Sequence, residues 1–151
     1  MTVYLGVDPG KSGAICYVDD LGHAELVVRT SETYRDIWQN VSDLAQSDRC
    51  VACIEQVNSM PGQGVASTFK FGESFGLLLG LLTAAEIPFE RVRPAAWCKE
   101  FGLKRKPNES NTEWKNRHKQ LAQELFPDAS ITHANADALL IAEYCRRVRQ
   151  V

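Results

Sequence analysis

Val3 to Asp8 is an apolar run closed by an acid and reads as a strand, and the Pro9-Gly10-Lys11-Ser12-Gly13 cluster turns the chain back into a second strand, Ala14 to Val18. Asp19-Asp20-Leu21-Gly22 makes another turn before a third strand, Ala24 to Arg29. These three form a meander. From Ser31, a plausible N-cap, the period changes: Tyr34, Ile37, Trp38, Val41, Leu44 and Ala45 recur at helical spacing. Val51-Ala52-Cys53-Ile54-Glu55 then suits a central strand, and a strand reached through a helical crossover runs parallel to its partner.

Past a loop over Ser59 to Gly64, a long helix with few polar residues is expected from Val65 to Ala85. Gly72, Gly76 and Gly80 fall four apart along it. Each glycine in a helix costs about 1 kcal/mol relative to alanine, so the stripe predicts the close approach of another backbone. A fifth strand (Ile87 to Val92) follows, then a short helix (Ala95 to Glu100), an exposed basic loop (Lys104 to Asn108) and a helix from Asn111 to Leu125. A last helix, capped by Thr132 or Asn135, runs to about Arg149. The order predicts an α/β fold, a mixed sheet with helices packed on it, in a single domain spanning 1–151.

No uninterrupted apolar run reaches about 18 residues, and Met1-Thr2 leads straight into the first strand without a charged leader, so the expectation is a soluble, cytoplasmic protein with no membrane partner. Five scattered cysteines fit a reducing compartment, with Cys50 and Cys53 read as small apolar residues of a buried strand rather than zinc ligands. The net charge of −2 would argue against nucleic acid if it were uniform. It is not: residues 1–90 carry 5 Lys/Arg against 12 Asp/Glu, and the remainder carries 12 against 7. A basic half can face phosphate whatever the total, and Lys104, Arg105, Lys106, Lys115, Arg117 and Lys119 are its candidate backbone contacts, with a solvated basic face as the alternative.

Three acids stand out. Asp8 and Glu55 each close a strand, and if those strands are parallel neighbours both carboxylates emerge at one sheet edge, where a divalent cation would relieve their repulsion. Asp137 leads into Ala138-Leu139-Leu140-Ile141-Ala142, a segment that must dock on the core, and an acid there needs a partner or a metal. His133, four residues earlier, shares its helical face if the helix already includes it. Three oxygen donors with an imidazole suit Mg2+ or Mn2+. Singly, each acid has an ordinary reading: a turn residue, a solvated strand end, and a helix N-terminal acid.

Taken together, Gly6-Val7-Asp8-Pro9-Gly10 with Ser12-Gly13-Ala14-Ile15, Ile54-Glu55-Gln56-Val57, and Ala136-Asp137-Ala138-Leu139-Leu140-Ile141-Ala142 resemble the three acidic motifs of the RuvC resolvases, in the same order over nearly the whole chain. Phe71-Gly72-x-Ser74-x-Gly76 is similar to that family's dimerisation helix. The resemblance implies an RNase H-like sheet, three antiparallel strands followed by parallel ones, a homodimer and symmetric nicking of a four-way DNA junction. It also implies two ions per site: Asp8 and Glu55 on one, Asp8 bridging to a second held by Asp137 and His133, about 4 Å apart as in-line displacement requires. The chain departs from the bacterial pattern in two places. Ala134 stands where an acid or histidine is common three residues before the last aspartate, as in phage-borne relatives. Asn58 stands where a stacking aromatic is common, leaving Met60, Phe69 or Phe71 for that role.

Other readings start from the same residues. The Asp-Pro-Gly-Lys-Ser-Gly turn is also similar to the phosphate loop of actin-like ATPases, but those need two such domains and this chain supplies one; the spacing is not that of a Walker loop, so no nucleotide cofactor is expected. A non-catalytic DNA-binding module of the same fold would bind without cutting, and a nuclease for flaps, forks or RNA–DNA hybrids would share the fold and leave different products.

Overall fold

The computed structural model describes residues 1–56, 58 and 61–149; Val57 of the second acidic motif and the stacking candidate Met60 lie outside the described residues. Strands β1 (Thr2–Asp8), β2 (Ala14–Asp19) and β3 (Ala24–Arg29) form the antiparallel meander, and β4 (Arg49–Glu55) and β5 (Phe89–Val92) add in parallel on the other side of β1. The sheet order is β3-β2-β1-β4-β5, the mixed five-stranded arrangement expected.

Alternation along β1 and β4 sorts side chains onto two cores. Val3, Leu5, Val7, Ala52 and Ile54 face helices α1 (Tyr34–Ser47) and α2 (Val65–Ala84), where Ile37, Val41, Leu78 and Leu82 meet them. Tyr4 and Cys53 face the other way, against α3 (Pro94–Glu100), α4 (Asn111–Leu125) and α5 (Ala136–Val148), through Trp97, Ala122, Leu140 and Ile141. The residues in step with Tyr4 and Cys53 are Asp8 and Glu55, so both acids end their strands on the α5 side.

Local chemistry sets the helix ends. Thr33, not Ser31, caps α1, because its backbone is the extended residue next to the helix and its side chain accepts from the Asp36 N–H at 3.1 Å. Ser110 and Glu113 form a reciprocal capping box that starts α4. At the end of α2, Glu86 takes a positive φ of 56° and the Ile87 N–H returns to the Leu82 carbonyl. Ile87 is therefore spent closing the helix, and β5 begins at Phe89 rather than at Ile87.

Helix α5 is the buried one. Nine of its residues, Asp137 and Glu143 included, are shielded from solvent. It can lie this close because Gly6 has no side chain: a Cβ there would stand 2.0 Å from the Ala138 carbonyl oxygen and 2.3 Å from the Ala142 nitrogen. Helix α2 is the opposite case. Only Leu78 and Leu82 are buried along its 20 residues, while Val65 is 88% and Phe69 71% exposed. Added Cβ atoms at Gly72, Gly76 and Gly80 would meet nothing within 4 Å, so the glycine stripe packs on none of the described residues. By length and composition α2 would suffice to cross a membrane, although Lys70 and Glu73 interrupt it and its second half is anchored on the sheet.

The Gly6 contact gives a test of the fold. Gly6→Ala drives a methyl into helix backbone that has no rotamer to yield, and should cost about 3 kcal/mol or more, lowering Tm by on the order of 6–12 °C. Calorimetry showing an unchanged Tm would mean that α5 does not ride on β1 as described.

Candidate active site

The parallel register of β1 and β4 pairs Val7 with Ile54, which puts the next residues, Asp8 and Glu55, side by side where the strands end. Asp137 is the second residue of α5, one position before the Ala138 carbonyl that rests over Gly6. Three elements thus deliver three carboxylates to one end of the sheet. The turn after Asp8 is drawn tight against it, since a Cβ at Gly13 would lie 1.9 Å from the Asp8 carbonyl oxygen. A cleft of about 500 Å3 opens there, lined by Asp8, Pro9, Ser12, Gly13, Asn111, Thr112, Lys115 and His133.

The carboxylates differ in how their charge is met. Burial, followed by the charges of Asp137 and Glu55, pushes the Asp8 carboxyl well above its ordinary range, with Lys115 opposing. Glu55 is also raised by burial, despite a 2.6 Å hydrogen bond from the Trp97 indole N–H to its Oε2. Burial would raise Asp137 too, but His118 and Lys115 outweigh it and hold this carboxyl below its ordinary range. The Lys115 ammonium donates to Asp137 Oδ2 at 2.6 Å, and His118 Nδ1 donates to Oδ1 at 2.7 Å. Lys115 is correspondingly raised: burial disfavours its charge, and Asp137, Asp8 and Glu55 together favour it more. Among the described residues no three His, Cys, Asp or Glu side chains stand at metal-holding spacing; both Asp137 oxygens are instead held by Lys115 and His118.

His133 lies in the segment before α5, so it does not share a helical face with Asp137. It lines the cleft, and its Nε2 donates to Asn116 Oδ1 at 2.8 Å. The expected phosphate contacts divide into three groups. Lys104 and Lys106 are exposed and Lys119 is half-buried. Arg117 pairs with Glu109 at 3.0 Å, reaches the Lys104 carbonyl and lies over the Trp114 ring at 5.3 Å, while Arg105 binds the Glu109 carbonyl and Asn111 Oδ1. Both arginines brace the basic loop. Lys115 belongs to the acidic cluster itself. Of the stacking candidates, Phe69 is exposed on α2 and Phe71 is half-buried with its ring 6.3 Å from that of Phe75.

Trp97, His118 and the Asp137 contact of Lys115 were not singled out in the sequence. The available signal was the spacing on α4, which sets Trp114 and His118 one turn apart with Lys115 between them.

A scan of the sequence against protein-family models finds no match, and a search of curated proteins finds no relative. Solved structures do match. The Thermus thermophilus RuvC in complex with Holliday junction substrate superposes with a TM-score of 0.59 at 17% identity, covering 94% of this chain and 90% of that one. A second Thermus thermophilus RuvC structure gives 0.55 at 17% identity, over 98% and 96%. The chain has the RuvC fold. The mixed five-stranded sheet with its flanking helices is the RNase H-like arrangement.

The charge imbalance has a measurable consequence. A carboxyl whose folded value is raised, as for Asp8, binds its proton more tightly in the folded state. Its favourable contribution is complete below the ordinary value of 3.8 and is lost as pH rises through the raised one. Asp8→Asn, neutral throughout, should therefore raise Tm of the protein in EDTA by a few degrees near neutral pH, with the gain shrinking as pH falls toward 3.8. Thermal melts across that range check this; a gain that grows on acidification would contradict it.

Proposed function

We propose that the chain is a divalent-metal-dependent endonuclease that cuts branched DNA, resolving four-way junctions by paired nicks as a homodimer in a reducing cytoplasm, bacterial or of a phage-infected host cell. The observation that carries this reading is the convergence of Asp8, Glu55 and Asp137 at one end of a RuvC-type sheet beside an open cleft.

The donor set fits a hard divalent cation. Three carboxylates meet, the Asp8 charge is the least compensated, and the Lys115 ammonium already stands in at Asp137 Oδ2. Asp8, Glu55 and Asp137 would hold Mg2+, with Mn2+ able to substitute, in the two-ion arrangement that the RuvC resemblance implies, and His133 stands at the cleft rather than on the α5 face. When bound, such ions supply an activated water and a positive charge for the departing 3′ oxygen. The chain's own residues do the rest. Lys115, more than half exposed, brings an ammonium to a scissile phosphate entering the cleft. Lys119 on α4, and Lys104 and Lys106 on the loop that Arg105 and Arg117 keep in shape, grip flanking phosphates without reading sequence.

Paired cuts require two sites, and α2 supports a second copy of the chain as the source. Its open glycine stripe and its exposed Val65 and Phe69 form an apolar face that this chain leaves uncovered, as an isologous two-fold contact needs.

The activity is tested by offering labelled four-way junction, fork, flap, RNA–DNA hybrid and linear duplex side by side with Mg2+. Symmetric nicks in the junction are expected, with Asp8→Asn, Glu55→Gln and Asp137→Asn each slower by on the order of a thousand-fold while binding in Ca2+ persists. Preferential cutting of flaps or hybrids would replace the junction reading with that substrate, and binding without any cut would leave a DNA-binding module.

For assembly, Gly76→Leu should convert a dimer to a monomer in light scattering at micromolar concentration while Tm changes little, since the added side chain meets open space in the single chain. A wild-type chain that is monomeric and still makes paired nicks would refute the two-fold contact.

A further inference from the structure

Behind the acidic cluster lies a stack of three rings that the cleavage reading does not use. Trp97 on α3 is 1% exposed and His118 on α4 is 2% exposed. Their rings meet edge to face at 5.4 Å, and Trp114, one turn before His118, closes on the imidazole from another side at 4.3 Å and 69°. Each of the two inner rings spends a polar hydrogen on a different acid: Trp97 Nε1 on Glu55 Oε2 at 2.6 Å, and His118 Nδ1 on Asp137 Oδ1 at 2.7 Å. The direction of both bonds is fixed, because an indole N–H only donates and an ionised carboxylate only accepts.

We propose that Trp97 and His118, wedged together and backed by Trp114, are positioning residues that hold the Glu55 and Asp137 carboxylates in a fixed mutual orientation for cation binding. This rests on the metal-dependent reading above and adds what keeps two of its ligands in place. Glu55 ends a strand and Asp137 begins a helix; no bond between those two elements fixes the rotation of either carboxylate. The contact between the indole and the imidazole links the two rotations. The Trp97 bond engages one Glu55 oxygen, Oε2, and the second Asp137 oxygen, Oδ2, is held by Lys115, whose side chain is 54% exposed and can leave.

The imidazole is also a poor choice for packing alone. Its Nε2 is buried and has no hydrogen-bond partner among the described residues, a cost that an apolar ring of similar size would avoid. The Nδ1 bond to Asp137 is the one polar return on that cost. Arg117 adds a further support, lying over Trp114 while paired with Glu109.

The test separates positioning from folding. His118→Phe keeps a ring between the tryptophans and removes the donor; His118→Asn keeps a donor at the Nδ1 position and gives up the ring; Trp97→Phe removes the Glu55 donor alone. Mn2+ binding is measured by calorimetry without DNA, and junction cleavage at saturating Mg2+ gives kcat and KM. His118→Phe should melt at or above the wild-type temperature, bind Mn2+ about 10–100-fold more weakly, and lose kcat with KM for the junction unchanged. His118→Asn should recover part of the Mn2+ affinity despite a lower Tm. Trp97→Phe should show the same loss of affinity through Glu55, and it carries the test if either His118 variant fails to fold. Wild-type Mn2+ affinity and kcat in both Phe variants would overturn the positioning role while leaving the nuclease reading intact. A wild-type protein that neither binds Mn2+ nor cuts would overturn both.

Discussion

Like charge held together without compensation is the constraint on which the site depends. The β1–β4 register and the close seat of α5 on Gly6 bring Asp8, Glu55 and Asp137 to one place, and burial there makes every ionised form costly. The fold answers this unevenly. Asp137 has Lys115 and His118, Glu55 has Trp97, and Asp8 has only the more distant Lys115 charge against two acids. The least satisfied carboxylate is one that lines the cleft, and an added cation gains most there.

The same constraint gives α3 and α4 a purpose. Neither contributes to the sheet, yet they carry Trp97, Trp114, Lys115 and His118, which are the groups that face the acids or back those that do. The basic loop between the two helices is shaped by Arg105, Glu109 and Arg117 and begins the capping box of α4, so the exposed Lys104 and Lys106 and the site's supports share one unit. The charge asymmetry along the sequence follows from this division. The strand-end acids Asp8 and Glu55 come from the first part, and Lys115, the cation that meets the acidic cluster, comes from the second.

Much of this was legible in the sequence because it depends on period and order. The apolar runs of β1 and β4 closed by acids, with a helical crossover between them, imply parallel strands and adjacent carboxylates; the apolar segment after Asp137 implies a docked helix. What could not be read were contacts set by packing across elements. Trp97 meets Glu55 across 42 positions and His118 meets Asp137 across 19, and nothing local marks either ring as other than core. Lys115 reads as one more surface cation until α4 is laid beside α5. His133 was tied to Asp137 by an assumed helix start; α5 begins only at Ala136, after Asn135, whose side chain accepts from the Thr132 N–H. The glycine stripe of α2 predicts the close approach of another backbone, and among the described residues none comes within 4 Å of the added Cβ positions.

The central claim is that the three carboxylates form a cation site in which Lys115 stands in for the ion. The most direct measurement is anomalous diffraction from a crystal of the protein soaked in Mn2+. The account predicts a peak in contact with Asp8 and Asp137, with the Lys115 ammonium withdrawn from the 2.6 Å contact it makes with Asp137 Oδ2. A Mn2+-soaked crystal with no peak at these acids, and with Lys115 still bonded to Asp137, would contradict it.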